Sequence, residues 1–543
     1  MDNQATLVKH IDPRLNLTAE KQFSTSQGAS YISTAVYRPN GSTIGTATNF
    51  SCNPPNRNIV VSREVIKLAE FKITITGTSQ TALAQNIFEP FAVAPSYMPL
   101  SRVTLNESMK IGNDTITGQN TDIVREALCR YDCDKYYTGT ASMNDTYQTF
   151  ESVDLSNRSA LAPYGDNTGG QYGDVVSRRA YWTFDDNVSL SQQSAPVIGT
   201  ANTVVLTFAI EEPLMLSPFV FGEDARNAEG LYGVESAQYS CQFGNLLKAF
   251  NYVADKINLD NIVVKSEITE FGLRFKYLTP QLNQPIPRNA LYSYYEPQVR
   301  TAQRIAVASD GLPTPAQVIN LQLSGIPRRV YMLMRDTDTT GTKPLRYLAL
   351  APNSLSVRIN GQSSLQGQSN IQLYDTCKRN GLNLAYSQWS KYTGSVMCVD
   401  FGKGDIALHP EQAPAVSQKN EFEFSASYLN KSGESIDAEF TIVVVYDGVF
   451  RMEDGNTSHS INPISEQSIL STATNTSLLM DNSPDNVYGG NINWSGLGKT
   501  GLKIAKCVVD NLPAPKSRSM RGRGIENVNG GRMVSRSSLR SRY

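Results

Sequence analysis

Hydrophobic and polar residues alternate along much of the chain, and this pattern predicts a protein built mainly from β-strands. Residues 71–76 alternate between apolar and polar side chains until Gly77 ends the run, and residues 271–277 repeat the pattern. Successive side chains of a strand point to opposite faces, so each run indicates a sheet with one face in a core. Apolar runs predict further strands at 204–210, 318–323, 330–334, 347–350, 355–359, 395–401, 422–429 and 440–446. This spacing favours a sandwich over a parallel sheet.

One short pattern occurs twice, 248 positions apart. The matching positions are Ser108–Ile111 and Ser356–Ile359, Ile123 and Ile371, and Cys129–Arg130 and Cys377–Lys378. Each copy predicts a short strand, a polar loop and a helix that ends at a cysteine followed by a basic residue. Asp122 is positioned to cap the first helix, Gly381 to end the second, and Asn360–Gly361 predicts a tight turn. An internal repeat of this kind predicts two tandem copies of one β domain.

The changes in pattern along the chain give expected domain boundaries. Residues 1–55 have little periodicity and are expected to form an N-terminal arm. We expect the first β domain at 56–225, with an insertion at about 132–200, and the second at 226–452, with a loop insertion at about 279–315. Residues 453–543 then form a C-terminal extension. Its basic tail is expected to be disordered when unbound.

Composition and charge change this picture mainly at the C-terminus. The 543 residues suit two or three domains, and the net charge is −1. The basic side chains of the tail are Lys516, Arg518, Arg521, Arg523, Arg532, Arg536, Arg540 and Arg542. Such a cluster could neutralise DNA phosphates or anionic lipid, or it could be a solubilising terminus, and the sequence leaves these alternatives open.

The sequence offers little that points to an enzyme. The three histidines have no Glu or Cys partner at metal-ligand spacing, and Cys129 and Cys133 lack a second pair nearby. Residues 496–500 read GLGKT, but a phosphate loop would need glycine at position 493, where the chain has Asn493. We therefore expect no catalytic residues, no cofactor and no metal. Seven scattered cysteines and no signal-peptide pattern favour a reducing compartment.

Several segments resemble the double jelly-roll major capsid proteins of small eukaryotic DNA viruses, in the Polinton, adintovirus and virophage branch. The segments are Ser217–Gly222 with Leu231–Val234, Leu323–Pro327 with Val330–Arg335, Leu355–Leu365, Leu373–Tyr374, Arg379–Gly381, Gly394–Cys398 and Asp405–Leu408. The resemblance spans roughly residues 55 to 450 as a series of short matches. It implies an all-β fold of two tandem eight-stranded jelly rolls, with long loop insertions and short helices.

The resemblance also implies a structural role. It implies a major capsid protein whose homotrimers are pseudo-hexagonal capsomers that tile an icosahedral virion shell. The expected partners are neighbouring capsomers, penton proteins and minor capsid proteins, with genome DNA or an inner membrane as candidate partners of the basic tail. Assembly is expected inside the host cell, in the nucleus or cytoplasm, without secretion. Two alternatives stay open, namely a lectin-like or adhesive β-sandwich surface protein and a minor capsid or penton protein.

Two further sets of candidate site residues follow from the sequence. Tyr292, Tyr294 and Tyr295 lie in a Tyr-rich segment and are candidates for the trimer contact, the alternative being a loop packed on its own domain. Two hydrophobic-x-Gly-Gly sequences end at Gly490 and Gly531 and resemble sites cut by adenovirus-type maturation proteases. Both sequences begin with valine, and this departs from the residues that such proteases prefer in the first position.

Overall fold

Antiparallel strands make up most of the fold, which is given by a computed structural model. The description covers residues 28–465, except for 42–43, 45–46, 80–92, 96–98, 132–180, 185–200, 220–228, 253–258, 283–286, 288, 310, 338–346, 383, 388, 391–393, 403–405, 407, 409–411 and 431–434. The strands and helices described below all lie within one unit, Ala29–Glu466. They divide by strand pairing into a first half and a second half.

The first half contains twelve of the described strands. They are β1 (Tyr31–Tyr37), β2 (Ala47–Ser51), β3 (Val60–Val61), β4 (Ile66–Ser79), β5 (Val93–Pro95), β6 (Thr104–Ile111), β7 (Asp114–Gln119), β8 (Tyr181–Phe184), β9 (Ala201–Pro213), β10 (Ala237–Phe243), β11 (Phe250–Tyr252) and β12 (Leu259–Thr279). Helix α1 spans Pro99–Val103 and helix α2 spans Thr121–Tyr131, and a 3-10 turn covers Leu246–Ala249.

The second half contains fourteen of the described strands. They are β13 (Asn289–Thr301), β14 (Ile305–Val307), β15 (Pro313–Pro315), β16 (Ile319–Gly325), β17 (Arg329–Asp336), β18 (Ala349–Leu350), β19 (Ser356–Ile359), β20 (Gln362–Gln366), β21 (Met397–Asp400), β22 (Val416–Ser425), β23 (Ser427–Leu429), β24 (Ile436–Glu453), β25 (Asn456–Ile461) and β26 (Ile464–Ser465). Helix α3 spans Asn370–Arg379.

Two sheets form the sandwich of the first half. The first long sheet has the order β1-β12-β4-β9, with β8 beside β9 and β3 beside β12. The first short sheet has the order β2-β10-β6-β7. Aromatic rings join the two sheets, because the Phe271 ring of β12 meets Phe50 of β2 edge-on at 5.1 Å and Phe243 of β10 at 5.2 Å. The core of the first half therefore lies between these sheets.

The second half repeats this plan. The second long sheet has the order β13-β24-β17-β21, and the second short sheet has the order β16-β22-β19-β20. Phe401, next to β21, meets Phe422 of β22 at 5.6 Å, which joins the two sheets across the core. Counted along each half, the eight strands of the two main sheets pair in the orders 1-8-3-6 and 2-7-4-5 in both halves. The predicted fold of two tandem eight-stranded jelly rolls is confirmed.

The repeat seen in the sequence corresponds to the same structural unit in each half. In the first half it is the β6–β7 hairpin followed by α2, and in the second half the β19–β20 hairpin followed by α3. The Asn360–Gly361 turn has positive φ at both residues, as a two-residue hairpin requires. Gly381 ends α3 with φ +101°, where the Leu382 N–H donates to the Cys377 carbonyl.

One buried ion pair crosses the core of the first half. Lys67 of β4 places its Nζ 3.2 Å from Oε2 of Glu107 on β6, and both side chains are fully buried. The Tyr239 hydroxyl donates to the same carboxylate oxygen at 2.9 Å. Buried charges are tolerated when they are paired and hydrogen-bonded, so this cluster holds the long and short sheets at a fixed spacing.

Three expectations about the boundaries are wrong. The predicted arm 1–55 contains β1 and β2, which pair with β12 and β10. The predicted boundary between 225 and 226 falls too early, because β10 and β12 complete the sheets of the first half. The C-terminal extension was predicted to begin at 453, yet β25 pairs with β24 as part of the second long sheet.

The two predicted insertions have different outcomes. The prediction of a loop insertion at 279–315 is wrong, because β13 covers thirteen of these residues and pairs with β24 along its whole length. Most residues of β13 are half-buried whichever face they occupy, so the strand lacks a clear alternation of polar and apolar positions. The insertion at 132–200 lies outside the described residues, apart from β8, which pairs with β9.

Candidate functional site: the joint between the two halves

Helix α2 belongs to the first half but also packs against the second half. Its apolar residues at 123, 124, 127 and 128 have helical spacing and are buried. The charged side chains of Arg125 and Arg130 are buried as well, at 0% and 2% exposure. A helix that is buried on its polar side must have protein on both sides. We call the contact region of α2 and the second half the helix joint.

The C-terminal end of α2 inserts into the second half. The guanidinium of Arg130 donates to the Gly394 carbonyl at 2.9 Å and lies 4.7 Å from the centre of the Tyr347 ring. The Tyr131 hydroxyl donates to the Val396 carbonyl at 2.5 Å. Its ring lies 5.4 Å from that of Tyr331 on β17. Burial raises the pKa of Tyr131 well above its usual value, so the hydroxyl stays protonated and keeps its role as a donor.

An ion-pair cluster closes the N-terminal end of the helix joint. The guanidinium of Arg335 on β17 lies 2.8 Å from a carboxylate oxygen of Asp122 on α2 and 2.8 Å from one of Glu439 on β24. Burial alone would raise the pKa of Asp122, but the charge and hydrogen bond of Arg335 outweigh it and lower that pKa. The carboxylate is therefore ionised at neutral pH. The prediction that Asp122 caps α2 is wrong, because α2 begins one residue earlier and its carboxylate pairs with Arg335.

A second contact joins the halves at the β24–β25 hairpin, and we call it the hairpin joint. The Thr457 backbone N–H donates to Asn113 Oδ1 at 2.7 Å, and its hydroxyl donates to the Ile111 carbonyl. That hydroxyl also accepts from the Asp114 N–H at 3.2 Å. Nδ1 of His459 lies 2.6 Å from a carboxylate oxygen of Asp114. The turn between β6 and β7 is thus held by three groups of the second half's hairpin, namely the Thr457 N–H, the Thr457 hydroxyl and the His459 ring.

The three tyrosines predicted to form the trimer contact all make contacts within their own chain. Tyr292 and Tyr294 are only 4% and 2% exposed within the single chain. The Tyr292 hydroxyl donates to the Gly230 carbonyl at 3.0 Å, and the Tyr294 ring lies 5.0 Å from His459. Tyr295 is half-buried, and its ring centre lies 4.9 Å from the Arg328 guanidinium. Side chains this buried leave no area for another subunit, so the prediction of a trimer contact is wrong for Tyr292 and Tyr294.

The other candidate residues lie outside the described part of the chain. These are the basic residues from Lys516 to Arg542 and the two cleavage candidates Gly490 and Gly531. Within the residues that the structure describes, no group of His, Cys, Asp and Glu side chains could hold a metal ion. Among the same residues, none of the helices has the length and apolar character needed to cross a membrane.

The residues of the helix joint and hairpin joint were mostly missed by the sequence analysis. The repeat marked Arg130 as the basic residue after Cys129, and the resemblance included Arg335, but nothing linked these positions. Their contacts join residues more than two hundred positions apart, such as Asp122 and Arg335. The side chains of the two joints form hydrogen bonds and ion pairs between the halves, and they do not pair a nucleophile with a base. Their arrangement therefore suits rigid attachment of one half to the other.

Known capsid proteins resemble the chain in sequence and in fold. A family profile described as the Sputnik virophage major capsid protein 1st domain matches residues 1–259. The putative capsid protein V20 of Sputnik virophage is 25% identical over 95% of this chain and 92% of its own length. These matches include the N-terminal part of the chain, which precedes the segments on which the sequence resemblance was based.

Solved structures agree with these matches. A chain in the cryo-electron microscopy structure of Sputnik virophage superposes with a TM-score of 0.69 at 22% identity, covering 87% of this chain and 96% of that one. The mavirus major capsid protein gives 0.68 at 11% identity, covering 87% and 98%. At these identities the superpositions establish the fold. The chain is similar in sequence to the capsid protein of Sputnik virophage, and it shares its fold with a chain of that virus and with the mavirus major capsid protein.

Proposed function

We propose that the chain is a major capsid protein that self-assembles as pseudo-hexagonal homotrimers, which tile an icosahedral virion shell. The observation that carries this proposal is the presence of two jelly rolls with the same strand order in one chain. Three such chains place six similar units around one axis. A threefold object of this kind can pack with six neighbours through similar edges. The capsid proteins that resemble the chain support the same role.

The joints between the halves suit a capsid subunit. The two rolls are fixed by a buried helix, an ion-pair cluster and a hairpin rather than by a linker alone. Such a rigid pair presents its outer surfaces at a constant angle, which a regular shell requires. The role is therefore structural, and the protein acts by assembly rather than by catalysis.

The oligomeric state tests this proposal directly. Size-exclusion chromatography with light scattering should give the mass of three chains for the purified protein, and negative-stain images should show particles with six-sided outlines. A stable monomer at micromolar concentration contradicts the proposal. Capsid association would further bring in penton and minor capsid proteins as partners, with assembly inside the host cell.

The basic tail is proposed to contact either genome DNA or an inner membrane. Its eight Lys and Arg residues, against one Glu, give it the charge that both phosphate and anionic lipid attract. Binding of the whole protein to duplex DNA and to anionic vesicles should be compared with that of a chain ending at residue 512. If the truncated chain binds both as well as the whole protein does, the tail has no such role.

Cleavage after Gly490 or Gly531 is a separate proposal for maturation. The hydrophobic-x-Gly-Gly sequences at these positions support it. Intact-mass measurement on mature particles should show chains shortened at one of the two sites. A full-length mass in mature particles rules out this proposal and leaves the capsid role unaffected.

A further inference from the structure

The repeated unit is covered by other parts of the chain in the first half and open in the second. Ile123 of α2 and Ile371 of α3 occupy matching positions, yet they are 2% and 61% exposed. Residues 130 and 131 at the end of α2 are buried in the second half, whereas Lys378 and Arg379 at the end of α3 are exposed. The matching helix therefore docks on the other half in one case and has an exposed outer side in the other.

The hairpin turn before each helix shows the same difference. A Cβ atom placed on Gly112, in the turn of the first half, would lie 2.9 Å from the Gly455 carbonyl oxygen. A Cβ atom on Gly361, in the matching turn of the second half, would have nothing within 4 Å. We call the open unit of Asn360–Gly361 and α3 the free docking unit.

In the second half, the surface that α2 packs against is covered by α2. The outer face of the second long sheet, which points away from its own core, carries Tyr331, Leu333 and Val443, each at most 1% exposed. Tyr131 packs on this face, and Asp122 pairs with its Arg335. The pair formed by Arg335 and Glu439 across the third and eighth strands of the half is only 15% and 10% exposed.

The matching surface of the first half is open. Lys72 and Glu267 form an ion pair across the same two strands of the first long sheet, β4 and β12, but are 40% and 61% exposed. Apolar side chains on this outer face are also exposed, with Ile32 at 54%, Val36 at 52% and Val263 at 53%. We call this surface the free receiving face.

We infer that the free docking unit of one chain binds the free receiving face of a second copy, and so repeats between chains the helix joint found within each chain. This inference rests on the proposed trimer and names its contact. Each chain carries one docking unit and one receiving face that differ from each other, so the association is head-to-tail. A head-to-tail contact builds a closed ring when its rotation closes, and six similar halves close with three chains.

The charges on the two surfaces are compatible with this contact. The free docking unit exposes Lys378 and Arg379 at the end of α3. The free receiving face carries Glu70, Glu267 and Glu270 on β4 and β12, together with Lys72 and Lys265. Cationic groups at a helix C-terminus also suit the helix dipole, so the exposed Lys378 can meet a carboxylate without disturbing α3. Ile371 supplies the apolar contact at the other end of the helix.

A single substitution tests the free docking unit. Ile371→Asp places a charge at the centre of the contact, and since Ile371 is 61% exposed in the chain the fold should be unaffected. We expect the trimer to dissociate to monomers, with an apparent association constant at least ~10-fold lower in light scattering. Leu312→Asp is the control, because Leu312 is 63% exposed and lies on neither surface, and it should stay trimeric. An Ile371→Asp chain that is as trimeric as the wild type overturns the inference.

Cross-linking of the unmodified protein locates the contact. A short amine-reactive cross-linker should join Lys378 to Lys72 or Lys265, and mass spectrometry should find these links in covalent dimers and trimers but not in the single-chain band. Trimers in which Lys378 is linked only to other sites overturn the inference while the proposed trimer stands. If light scattering shows the wild-type protein to be monomeric, the proposed function itself is contradicted. The two negative outcomes can therefore be distinguished.

Discussion

The two halves of the chain share a strand order but differ in what holds their cores and what covers their surfaces. Glu107 in the first half and Leu355 in the second immediately precede the matching residues Ser108 and Ser356, and both are 2% exposed. The first position carries an ion pair with Lys67, whereas the second is apolar. The strand order is thus compatible with either chemistry. It is the contacts between residues, and not the arrangement of strands, that distinguish the halves.

The same lesson applies to the surfaces. Cross-strand ion pairs occupy the third and eighth strands of both halves, as Lys72–Glu267 in the first and Arg335–Glu439 in the second. The second pair is covered because Asp122 of α2 joins it, while the first is open to solvent. The duplicated unit therefore forms one internal joint, and the other set of matching surfaces stays exposed in the single chain.

The largest effect is expected from breaking the buried ion pair of the first half. Glu107→Leu leaves the Lys67 ammonium buried without a counter-charge, so the free energy of unfolding should fall by about 3–5 kcal/mol. Denaturant unfolding followed by fluorescence measures this change. The triple variant Lys67→Met, Glu107→Leu and Tyr239→Phe makes the site apolar, as it is around Leu355, and should recover most of the loss. A triple variant as unstable as the single one would contradict this account.

The sequence predicted the elements that depend on local pattern. The β19–β20 turn follows from Asn360–Gly361, and α3 follows from the apolar spacing between Ile371 and Cys377 with Gly381 behind it. The repeat predicted the duplicated fold, because the matching residues build the same hairpin and helix in each half.

The elements that the sequence did not reveal depend on distant parts of the chain. Strand β1 pairs with residues 273–279 and exposes its outer face, so Ile32 and Val36 do not mark it as part of a core. Strand β13 contacts protein on both faces and lacks a clear alternation. The helix joint could not be predicted for the same reason, because Asp122 and Arg335 meet only when both sandwiches have formed.

A smaller effect is expected in the helix joint, and it depends on pH. Asp122→Asn removes a charge-assisted contact with Arg335 and should lower the free energy of unfolding by about 1.5–3 kcal/mol at pH 7. The pKa of Asp122 is lowered by Arg335 in the folded state despite its burial, so this stability is present above the unfolded pKa of about 3.9. It is lost as the pH falls through the lower folded value.

Denaturation midpoints of wild type and variant, measured from pH 7 down to pH 3, test this dependence. The difference between the two chains should be constant down to about pH 4 and shrink below it. Asp375→Asn on the exposed side of α3 is the matched control in the second half, and it should change little at any pH. A difference that grows with acidification would show that the ionised Asp122 does not stabilise the joint.

The hairpin joint should contribute less than the helix joint. Thr457→Val keeps the shape of the side chain but removes the hydroxyl that donates to Ile111 and accepts from Asp114. We expect the free energy of unfolding to fall by about 1 kcal/mol. Hydrogen exchange should also accelerate at the Asp114 amide, which loses its acceptor. Ser458→Ala, at the exposed neighbouring position, should change neither quantity, and equal effects in both variants would exclude the proposed role of the hydroxyl.

The smallest effect is expected from the exposed ion pair of the first half, and its size depends on whether another chain covers it. In the Ile371→Asp chain, which we expect to be monomeric, Lys72→Gln should lower the free energy of unfolding by at most about 0.5 kcal/mol, because exposed ion pairs contribute little. Raising the salt concentration should remove even this difference.

In the proposed trimer the same substitution should weaken assembly, because the inferred contact buries the free receiving face against α3 of the next chain. Light scattering over a dilution series compares Lys72→Gln with the wild type, and the variant should dissociate at a higher concentration. Lys110→Gln serves as the control, since Lys110 is exposed on β6, outside the free receiving face. If Lys72→Gln and Lys110→Gln dissociate at the same concentration as the wild type, Lys72 does not lie in the contact. The covered pair Arg335–Glu439 would then have no counterpart between chains.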